Sequence, residues 1–491
     1  MKYNKTIACL AINLCFVFNV SAQKQSGITA IREVDLKKDL YELSSDHFKG
    51  REAGTLDELK SAMWLADKAK AAGMQPAGDD GTFFQFFSLI RRRVLPSSSV
   101  KIGDRSFKLW DEALITLIAP ASVSAPVVFI GSESNSNLDG IDIKGKAVAI
   151  EVSKDDIDLD ISLPHRRYLG YVSAKYAVRL LEKGAAAIIF IADDIGEDSW
   201  AENLPYLTRG LYDVEGGPNA TVQPRTPYIW LHKKELEFIK KSGLTLSANI
   251  GVESFEYPSV NVVGKILGTD PKLKKEYVLF SGHIDHDGIR MAEGQDSIYN
   301  GADDNGSMCV AMLAVARAFK KQPSKRSTLF VFHGSEERGL LGSKWYSLRP
   351  TVSKESIVAV LNGDMIGRNN PDSSALLGSQ KPHLNSKALV KMAMDANTEG
   401  PNFKLDTLWD KPEHPEVFYF RSDHLPYARE GIPSIFYTTM LHGEYHTPMD
   451  EASHIDYKKL TKMTQWIYRT GWKVANAPVK PALEADFNLE R

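Results

Sequence analysis

The second half of the chain alternates short apolar runs with amphipathic segments, a pattern typical of strands that alternate with helices. Apolar residues at helical spacing predict helices over 307–319 and 456–472. We expect an α/β domain at 254–475, built on a mixed central sheet with helices on both faces. Four short apolar runs within it predict strands: 277–280, 328–332, 357–361 and 434–437.

The residues before this domain divide into two regions of different character. Residues 23–93 carry mainly helical patterns and are interpreted as an N-terminal part of the same domain. Residues 94–253 instead contain short β-like runs, frequent turn residues and one clear helical pattern at 173–183. We therefore expect a small inserted α/β domain, in which the polar stretch 196–225 is predicted to be a loop. Residues 476–491 show no clear pattern and are interpreted as a tail.

The first 22 residues have the features of a signal peptide. Lys2 and Lys5 give a positive start, residues 7–20 are largely apolar, and Ala22 ends a run of small residues that suits signal peptidase. Because the apolar run is too short for an ordinary membrane-spanning helix, we expect cleavage after Ala22 and no remaining membrane anchor. The protein is thus predicted to be exported, either to a periplasm or out of the cell.

Composition and charge exclude some classes of protein. The chain has 491 residues, of which 43% are hydrophobic and 25% charged, as in a soluble protein of two or three domains. A formal net charge of −2 argues against a nucleic-acid partner, which would require a basic surface. Signal cleavage would remove Cys9 and Cys15 and leave Cys309, which we interpret as a buried, inert thiol. No pattern indicates an oligomeric state.

Residues that can bind metal follow the four predicted strands. His283, the pair Glu336-Glu337 and Asp364 stand at or just beyond strand ends, and His446 lies shortly after the fourth strand. Open α/β sheets place active sites at this edge, where loops leave the carboxyl ends of the strands. The joint occurrence of these residues at this edge favours a metal centre.

A further acid, Asp304, lies in a glycine-flanked turn before a predicted helix. Its carboxylate could bridge two cations, although acids in such turns are also ordinary helix caps. His283 taken alone could be a surface histidine, and the Glu336-Glu337 pair alone could be a solvated acidic turn. Each residue is therefore ambiguous by itself.

The two adjacent glutamates are predicted to have different roles. Like charges in an enclosed pocket are costly unless a cation neutralises them, so Glu337 is predicted to bind metal. Glu336 would then act as the general base toward a metal-activated water. Asp285 is placed to accept a hydrogen bond from the other ring nitrogen of His283. Tyr445 is a candidate donor to the oxyanion of a tetrahedral intermediate.

These motifs resemble those of the dizinc exopeptidases of the bacterial leucyl-aminopeptidase and glutamate-carboxypeptidase type, over nearly the whole predicted mature chain. The resemblance includes the segment 45–54 and a middle region similar to the protease-associated insert of that family. Met308 departs from the pattern, because relatives often have glycine there, and we expect only a packing adjustment. The resemblance implies two zinc ions per chain, with these ligands: His283 and Asp364 on one zinc, Glu337 and His446 on the other, and Asp304, rather than Asp303, as the bridge.

The resemblance also implies hydrolysis of peptide substrates, in which Glu336 passes the proton of the attacking water to the leaving amine. Aminopeptidase activity is our first expectation, because a free α-amine suits acidic surroundings to which Asp423 could contribute. Asp423 could instead be a helix cap. Arg368 or Arg421 could clamp a substrate carboxylate, which would make a carboxypeptidase or dipeptidase. A glutaminyl cyclase and an inactive binding scaffold are the remaining alternatives, and the complete ligand set disfavours both.

Overall fold

The computed structural model describes residues 26–132, 140–153, 165–218, 220–414 and 416–489, so the predicted signal peptide, residues 1–22, lies outside the described residues. The α-helices, in chain order, are α1 (Glu33–Leu43), α2 (Leu56–Ala71), α3 (His165–Glu182), α4 (Asp194–Arg209), α5 (Leu236–Ile239), α6 (Met308–Lys321), α7 (Leu341–Leu348), α8 (Lys387–Thr398), α9 (His424–Arg429) and α10 (Tyr457–Asn476). The strands are β1 (Gln75–Pro76), β2 (Phe84–Val94), β3 (Ser99–Ile102), β4 (Arg105–Phe107), β5 (Ala113–Ile115), β6 (Ala121–Phe129), β7 (Ala147–Glu151), β8 (Ala187–Ile191), β9 (Leu211–Val214), β10 (Tyr228–Leu231), β11 (Thr245–Ile250), β12 (Val252–Ile266), β13 (Tyr277–His283), β14 (Gly288–Glu293), β15 (Asp296–Tyr299), β16 (Ser327–His333), β17 (Ile357–Gly363), β18 (Ser373–Leu377), β19 (Lys404–Leu405) and β20 (Ser434–Thr438).

The larger sheet is mixed, with strand order β19-β18-β20-β17-β13-β16-β12-β2-β9 and β1 paired to β12. Its central strands β20, β17, β13 and β16 are parallel, so their carboxyl ends share one edge. Side chains on these strands alternate between two apolar cores, as the pleat requires. Phe280 packs with α6 and α10 on one face, whereas Leu279 packs with Tyr346 of α7 and Tyr427 of α9 on the other. The predicted mixed sheet with helices on both faces is therefore confirmed.

A second sheet is formed by residues that lie between β2 and β12 in sequence. Its strand order is β4-β3-β11-β6-β7-β8-β10-β5, and α3 and α4 pack on it around Tyr176, Trp200 and Trp230. Strand β9 leaves this unit and pairs antiparallel with β2 of the larger sheet. The two sheets are thus connected through β9 as well as through β2 and β12. The likeness of this region to a protease-associated domain stays a prediction.

The prediction of a loop over 196–225 was wrong, because this stretch contains most of α4 and all of β9. Gly196 and Pro205 lie inside the helix and interrupt its apolar pattern. The Asp193 carboxylate caps the helix by accepting a hydrogen bond from the Gly196 amide at 2.8 Å. Burial of Trp200 in the core of the second sheet supplies the stability that helix propensity alone does not predict.

Two other features of the fold bear on the predictions. Cys309 is buried in α6, and burial raises the pKa of its thiol to about 12, as expected of an inert cysteine. None of the helices in the part of the chain that the structure describes combines the length and the apolar character needed to cross a bilayer.

Glu58, in the first turn of α2, is a fully buried acid. Its carboxyl group accepts hydrogen bonds from the Gly54 amide and the Ser259 hydroxyl, each at 2.8 Å. Burial, with a further contribution from nearby Asp285, raises the pKa of Glu58 from 4.5 to about 8. The folded protein therefore keeps a proton that the unfolded chain releases, so stability decreases as the pH rises through this interval, by at most about 1.4 kcal/mol per pH unit.

Glu58→Gln should accordingly raise the melting temperature, because glutamine stays neutral without binding a proton. The gain over the wild type should increase between about pH 5 and about pH 8, the interval set by the raised pKa. Thermal unfolding at several pH values measures this difference. As a matched control, Glu42→Gln removes an acid that is paired with Lys68 at 2.6 Å, and it should give no such gain. A gain for Glu58→Gln that is independent of pH would contradict this explanation.

Candidate metal centre

Two neighbouring groups of histidines and carboxylates lie at the carboxyl ends of the central parallel strands. Within each group the candidate ligand atoms lie within 4.8 Å of one another. All six of the predicted metal and base residues are among them, together with His286, which was not predicted from the sequence. The first group comprises His283, Glu336 and Asp364, and the second comprises His286, Asp304, Glu337 and His446.

The sheet determines where these side chains lie. His283 is the last residue of β13, and Asp364 directly follows β17. The two glutamates begin a short turn after β16, which Ser335 enters with left-handed backbone at φ 57°. His446, in the loop after β20, has a similar φ of 55°. Few residues other than glycine adopt this conformation, and such strained positions are concentrated at functional sites.

Asp304 joins the two groups. One carboxylate oxygen lies 3.2 Å from Nε2 of His283, and the other lies 3.2 Å from Nε2 of His446. The neighbouring Asp303 instead accepts a hydrogen bond from the Gly367 amide at 2.7 Å. Of the two adjacent aspartates, Asp304 therefore has the geometry of a bridge.

Several of the converging atoms are buried and, within the described residues, have no hydrogen-bond partner. Burying imidazole nitrogens and carboxylate oxygens in this state costs free energy, and a cation between them removes that cost. Neutral imidazoles and carboxylates are also the donors that bind zinc in hydrolases. The residues present therefore fit a dinuclear zinc site. The unpartnered atoms are His283 Nε2, Asp364 Oδ1, Glu337 Oε1 and both ring nitrogens of His286 and of His446.

The two adjacent glutamates differ in acidity. Burial raises the pKa of Glu336 well above its usual range, and repulsion from Glu337 adds to this effect against the attraction of His283. Burial also disfavours the charge of Glu337, but the nearby His446 and His286 outweigh it and hold its pKa well below the usual range. Neighbouring carboxyl groups whose pKa values are driven apart are typical of acid–base sites.

Asp285 holds the turn that carries the glutamates. Its carboxylate accepts hydrogen bonds from the backbone amides of Glu336 at 2.9 Å and Glu337 at 3.2 Å. Nδ1 of His283 lies 3.1 Å from the backbone carbonyl of Asp285 but 3.9 Å from its carboxylate. In this geometry the carbonyl is the nearer acceptor for the His283 ring, and the carboxylate fixes the Glu336-Glu337 turn.

The two arginines that were predicted as possible substrate-binding residues are engaged with other groups. Arg421 pairs with Glu416 and donates a hydrogen bond to the Tyr445 hydroxyl at 3.0 Å. Tyr445 in turn lies against His446, with 3.9 Å between the ring centroids. Arg368 pairs with Glu444 at 2.5 Å.

Asp423 is fully buried at the N-cap position of α9, where its side chain makes no capping hydrogen bond. Burial raises its pKa to about 7. The adjacent Ser422 hydroxyl donates to Asp364 at 2.9 Å, so the start of α9 contacts the first group of candidate ligands.

Three residues in or beside the centre were not predicted from the sequence. His286 is fully buried, with Nδ1 3.0 Å from Oε1 of Glu337. Asp287 lies 3.3 Å from His446. Arg51 donates hydrogen bonds to the backbone carbonyls of residues 284, 300 and 301, which flank the candidate ligands. The signals available in the sequence were the continuous polar run 285–287 and the Gly-Arg pair in the loop 45–54.

Met308, the residue that departs from the family pattern, packs against two glycines. A methyl group at Gly282 or Gly363 would overlap the Met308 side chain. These glycines directly precede His283 and Asp364 in sequence. Met308 therefore fills the space between two strand ends that carry candidate ligands.

Comparisons with known proteins show what this chain is similar to. Residues 261–470 match the family model described as Peptidase family M28. Aminopeptidase YwaD from Bacillus subtilis (strain 168) is 29% identical over 198 residues, covering 37% of this chain and 39% of that enzyme. The chain thus matches well under half of that curated relative's length.

Solved structures extend the likeness in fold to most of the chain. An aminopeptidase from Aneurinibacillus sp. strain AM-1 aligns with a TM-score of 0.59 at 18% identity, covering 94% of this chain and 98% of that one. A zinc aminopeptidase from Bacillus subtilis aligns with a TM-score of 0.55 at 20% identity, covering 93% and 99%. At these identities the likeness shows the fold.

Proposed function

We propose that this chain, whose residues 261–470 match the model of peptidase family M28, is an exported aminopeptidase of that family that works with two zinc ions. The observation that carries the proposal is the pair of buried ligand groups joined by Asp304 within that domain. The relatives named aminopeptidase and zinc aminopeptidase support the choice of reaction and metal. Export is proposed from the signal-peptide features of residues 1–22.

The residues divide naturally between two ions. His283 and Asp364 would hold one zinc, Glu337 and His446 the other, and Asp304 would contact both. Zinc, when bound, would polarise the scissile carbonyl and lower the pKa of a coordinated water from about 15.7 toward about 7.

Glu336 is placed to move the proton. Its Oε2 lies 3.8 Å from His283 Nε2, and 10% of its side chain is exposed, so it borders the ligand set on a side that water can reach. The raised pKa of Glu336 suits a group that first accepts a proton from the attacking water and then returns it to the leaving amine. Asp285 supports this role by holding the backbone amide of Glu336.

Tyr445 is the proposed donor to the oxyanion that develops on the carbonyl. Its hydroxyl accepts a hydrogen bond from Arg421. This bond orients the phenol and makes its O–H a stronger donor to the oxyanion. A preorganised donor of this kind stabilises the transition state more than the ground state, because the negative charge on the oxygen develops only in the transition state.

The charges around the site favour a substrate amine over a substrate carboxylate. Both arginines that could clamp a carboxylate, Arg368 and Arg421, are already paired with glutamates. Asp423 lies close enough to Asp364 to interact with its charge and adds a further acid to this side of the site. A free α-amino group would be attracted to these surroundings, so peptides with free N-termini are the proposed substrates.

Zinc analysis combined with a substrate panel tests the proposal. The purified protein should contain two zinc ions per chain and release the chromophore from aminoacyl-p-nitroanilides, and chelation should abolish this activity. Cleavage of N-blocked peptides alone would instead indicate a carboxypeptidase. One zinc with cyclisation of N-terminal glutamine would indicate a glutaminyl cyclase, and no zinc with no turnover would indicate a binding scaffold.

A further inference from the structure

We infer that Asp287 is a positioning residue for His446, and that it is held in place by an arginine cluster to which the region of the second sheet contributes. The arginine cluster comprises Arg209, Arg290 and Arg338. This inference rests on the proposed function, because it concerns how one zinc ligand is oriented.

Both ring nitrogens of His446 face carboxylates, on opposite sides of the ring. Nε2 lies 3.2 Å from Asp304 and 3.1 Å from Glu337, within the second ligand group. Nδ1 lies 3.3 Å from Oδ2 of Asp287, which is outside that group. A histidine that binds metal usually donates its other N–H to a carboxylate or a carbonyl, which fixes the tautomer and the ring orientation. Neither Nδ1 of His446 nor Oδ2 of Asp287 has a hydrogen-bond partner within the described residues, so Asp287 is the carboxylate placed to take that role.

Asp287 is suited to this role because its other oxygen is already engaged. The residue is 1% exposed, and a carboxylate buried to that extent needs compensating charge. Arg290 forms an ion pair with Oδ1, and the same oxygen lies 3.5 Å from Arg338 and 4.0 Å from Arg209. With Oδ1 surrounded by guanidinium groups, Oδ2 is directed toward the imidazole of His446.

The three arginines come from three separate parts of the chain. Arg338 directly follows the candidate ligand Glu337, and Arg290 lies on β14. Arg209 is the last residue of α4, the helix that packs on the second sheet and leads into β9. A displacement of α4 would therefore change the surroundings of Asp287 and, through Asp287, the orientation of His446.

Asp287→Asn tests the inference, because asparagine keeps the shape of the side chain and removes its charge. We expect zinc affinity at the second group to fall roughly 10–100-fold, the range found for lost outer-shell partners of metal ligands. Competition with a chromogenic chelator should then show one weakened zinc out of two. The visible absorption of the Co²⁺-loaded protein should also change, since it reports the geometry of the ligands.

Asp213→Asn is the matched control. Asp213 is a buried acid paired with Lys344 at 3.1 Å, and it lies on β9, outside both ligand groups. This variant should keep two zinc ions with wild-type affinity and an unchanged Co²⁺ spectrum. Arg209→Gln should also lower zinc affinity, but by less than Asp287→Asn. If Asp287→Asn fails to fold, Arg209→Gln provides the test in its place.

The outcomes separate this inference from the proposed function. If the wild type binds two zinc ions and both Asp287→Asn and Arg209→Gln bind them with unchanged affinity and spectrum, the positioning role is wrong and the proposed function stands. If the wild type binds no zinc, the proposed function itself fails. A weakened second zinc in both variants, with the Asp213→Asn control unaffected, is the result that we expect.

Discussion

Replacing Glu336 by glutamine is expected to lower kcat at least about 10²–10⁴-fold while the protein keeps its two zinc ions. Glutamine has the same shape but cannot accept a proton at neutral pH. Glu336 lies beside the ligand set, with its Oε2 3.8 Å from His283, so removing its charge should not release metal. Hydrolysis of an aminoacyl-p-nitroanilide gives kcat, and elemental analysis of the same preparation gives the zinc content.

The adjacent residue provides the control for this experiment. Glu337 lies 3.1 Å from His446 and 3.0 Å from His286, within the second ligand group. Glu337→Gln should therefore lose zinc as well as activity, whereas Glu336→Gln should lose activity alone. Near wild-type turnover in Glu336→Gln would show that the proton is moved by another group.

The second large effect is expected at Asp304. One carboxylate oxygen lies 3.2 Å from His283 in the first ligand group, and the other lies 3.2 Å from His446 in the second. Asp304 is therefore the residue that both proposed zinc ions would share. Asp304→Asn replaces one anionic oxygen by an amide that cannot ligate zinc in the same way. We expect zinc to fall from two ions to about one or fewer per chain, with turnover below detection, as measured by elemental analysis and the same substrate.

Asp303→Asn is the matched variant at the neighbouring position. The Asp303 carboxylate accepts a hydrogen bond from the Gly367 amide and lies 3.6 Å from His442, so its role is in the surrounding hydrogen-bond network. Zinc binding should largely survive this change. If instead Asp303→Asn loses the metal and Asp304→Asn keeps it, the identity of the bridging residue would be reversed.

The main sheet and most of the candidate site could be predicted from the sequence. Strands buried on both faces appear as continuous apolar runs, and β16, which is buried along its whole length, is an example. A parallel sheet then brings the residues after its strands to one edge, which is how His283, Glu336 and Asp364 meet. Predicting where each strand ends is therefore enough to predict which residues lie at this edge.

The residues that surround the ligands were less predictable for a physical reason. His286 and Asp287 lie in a polar run that resembles an ordinary loop, and their partners His446 and Arg209 are distant in sequence. Only the folded chain shows that these groups meet. Helix α4 was missed for a similar reason, because Trp200 stabilises it by packing on the second sheet. The domain boundaries and export of the protein stay predictions.

The packing of Met308 has a consequence for protein engineering. Its side chain occupies space that side chains at positions 282 and 363 would otherwise fill. The side chains at positions 282, 308 and 363 therefore share one space of fixed volume. A large residue at 308 requires small residues at 282 and 363, and a smaller residue at 308 would leave room for larger ones there. A relative's residues transplanted at one of the three positions alone would leave a void or a collision beside His283 and Asp364. Grafts from relatives into this site should therefore transfer the three positions together.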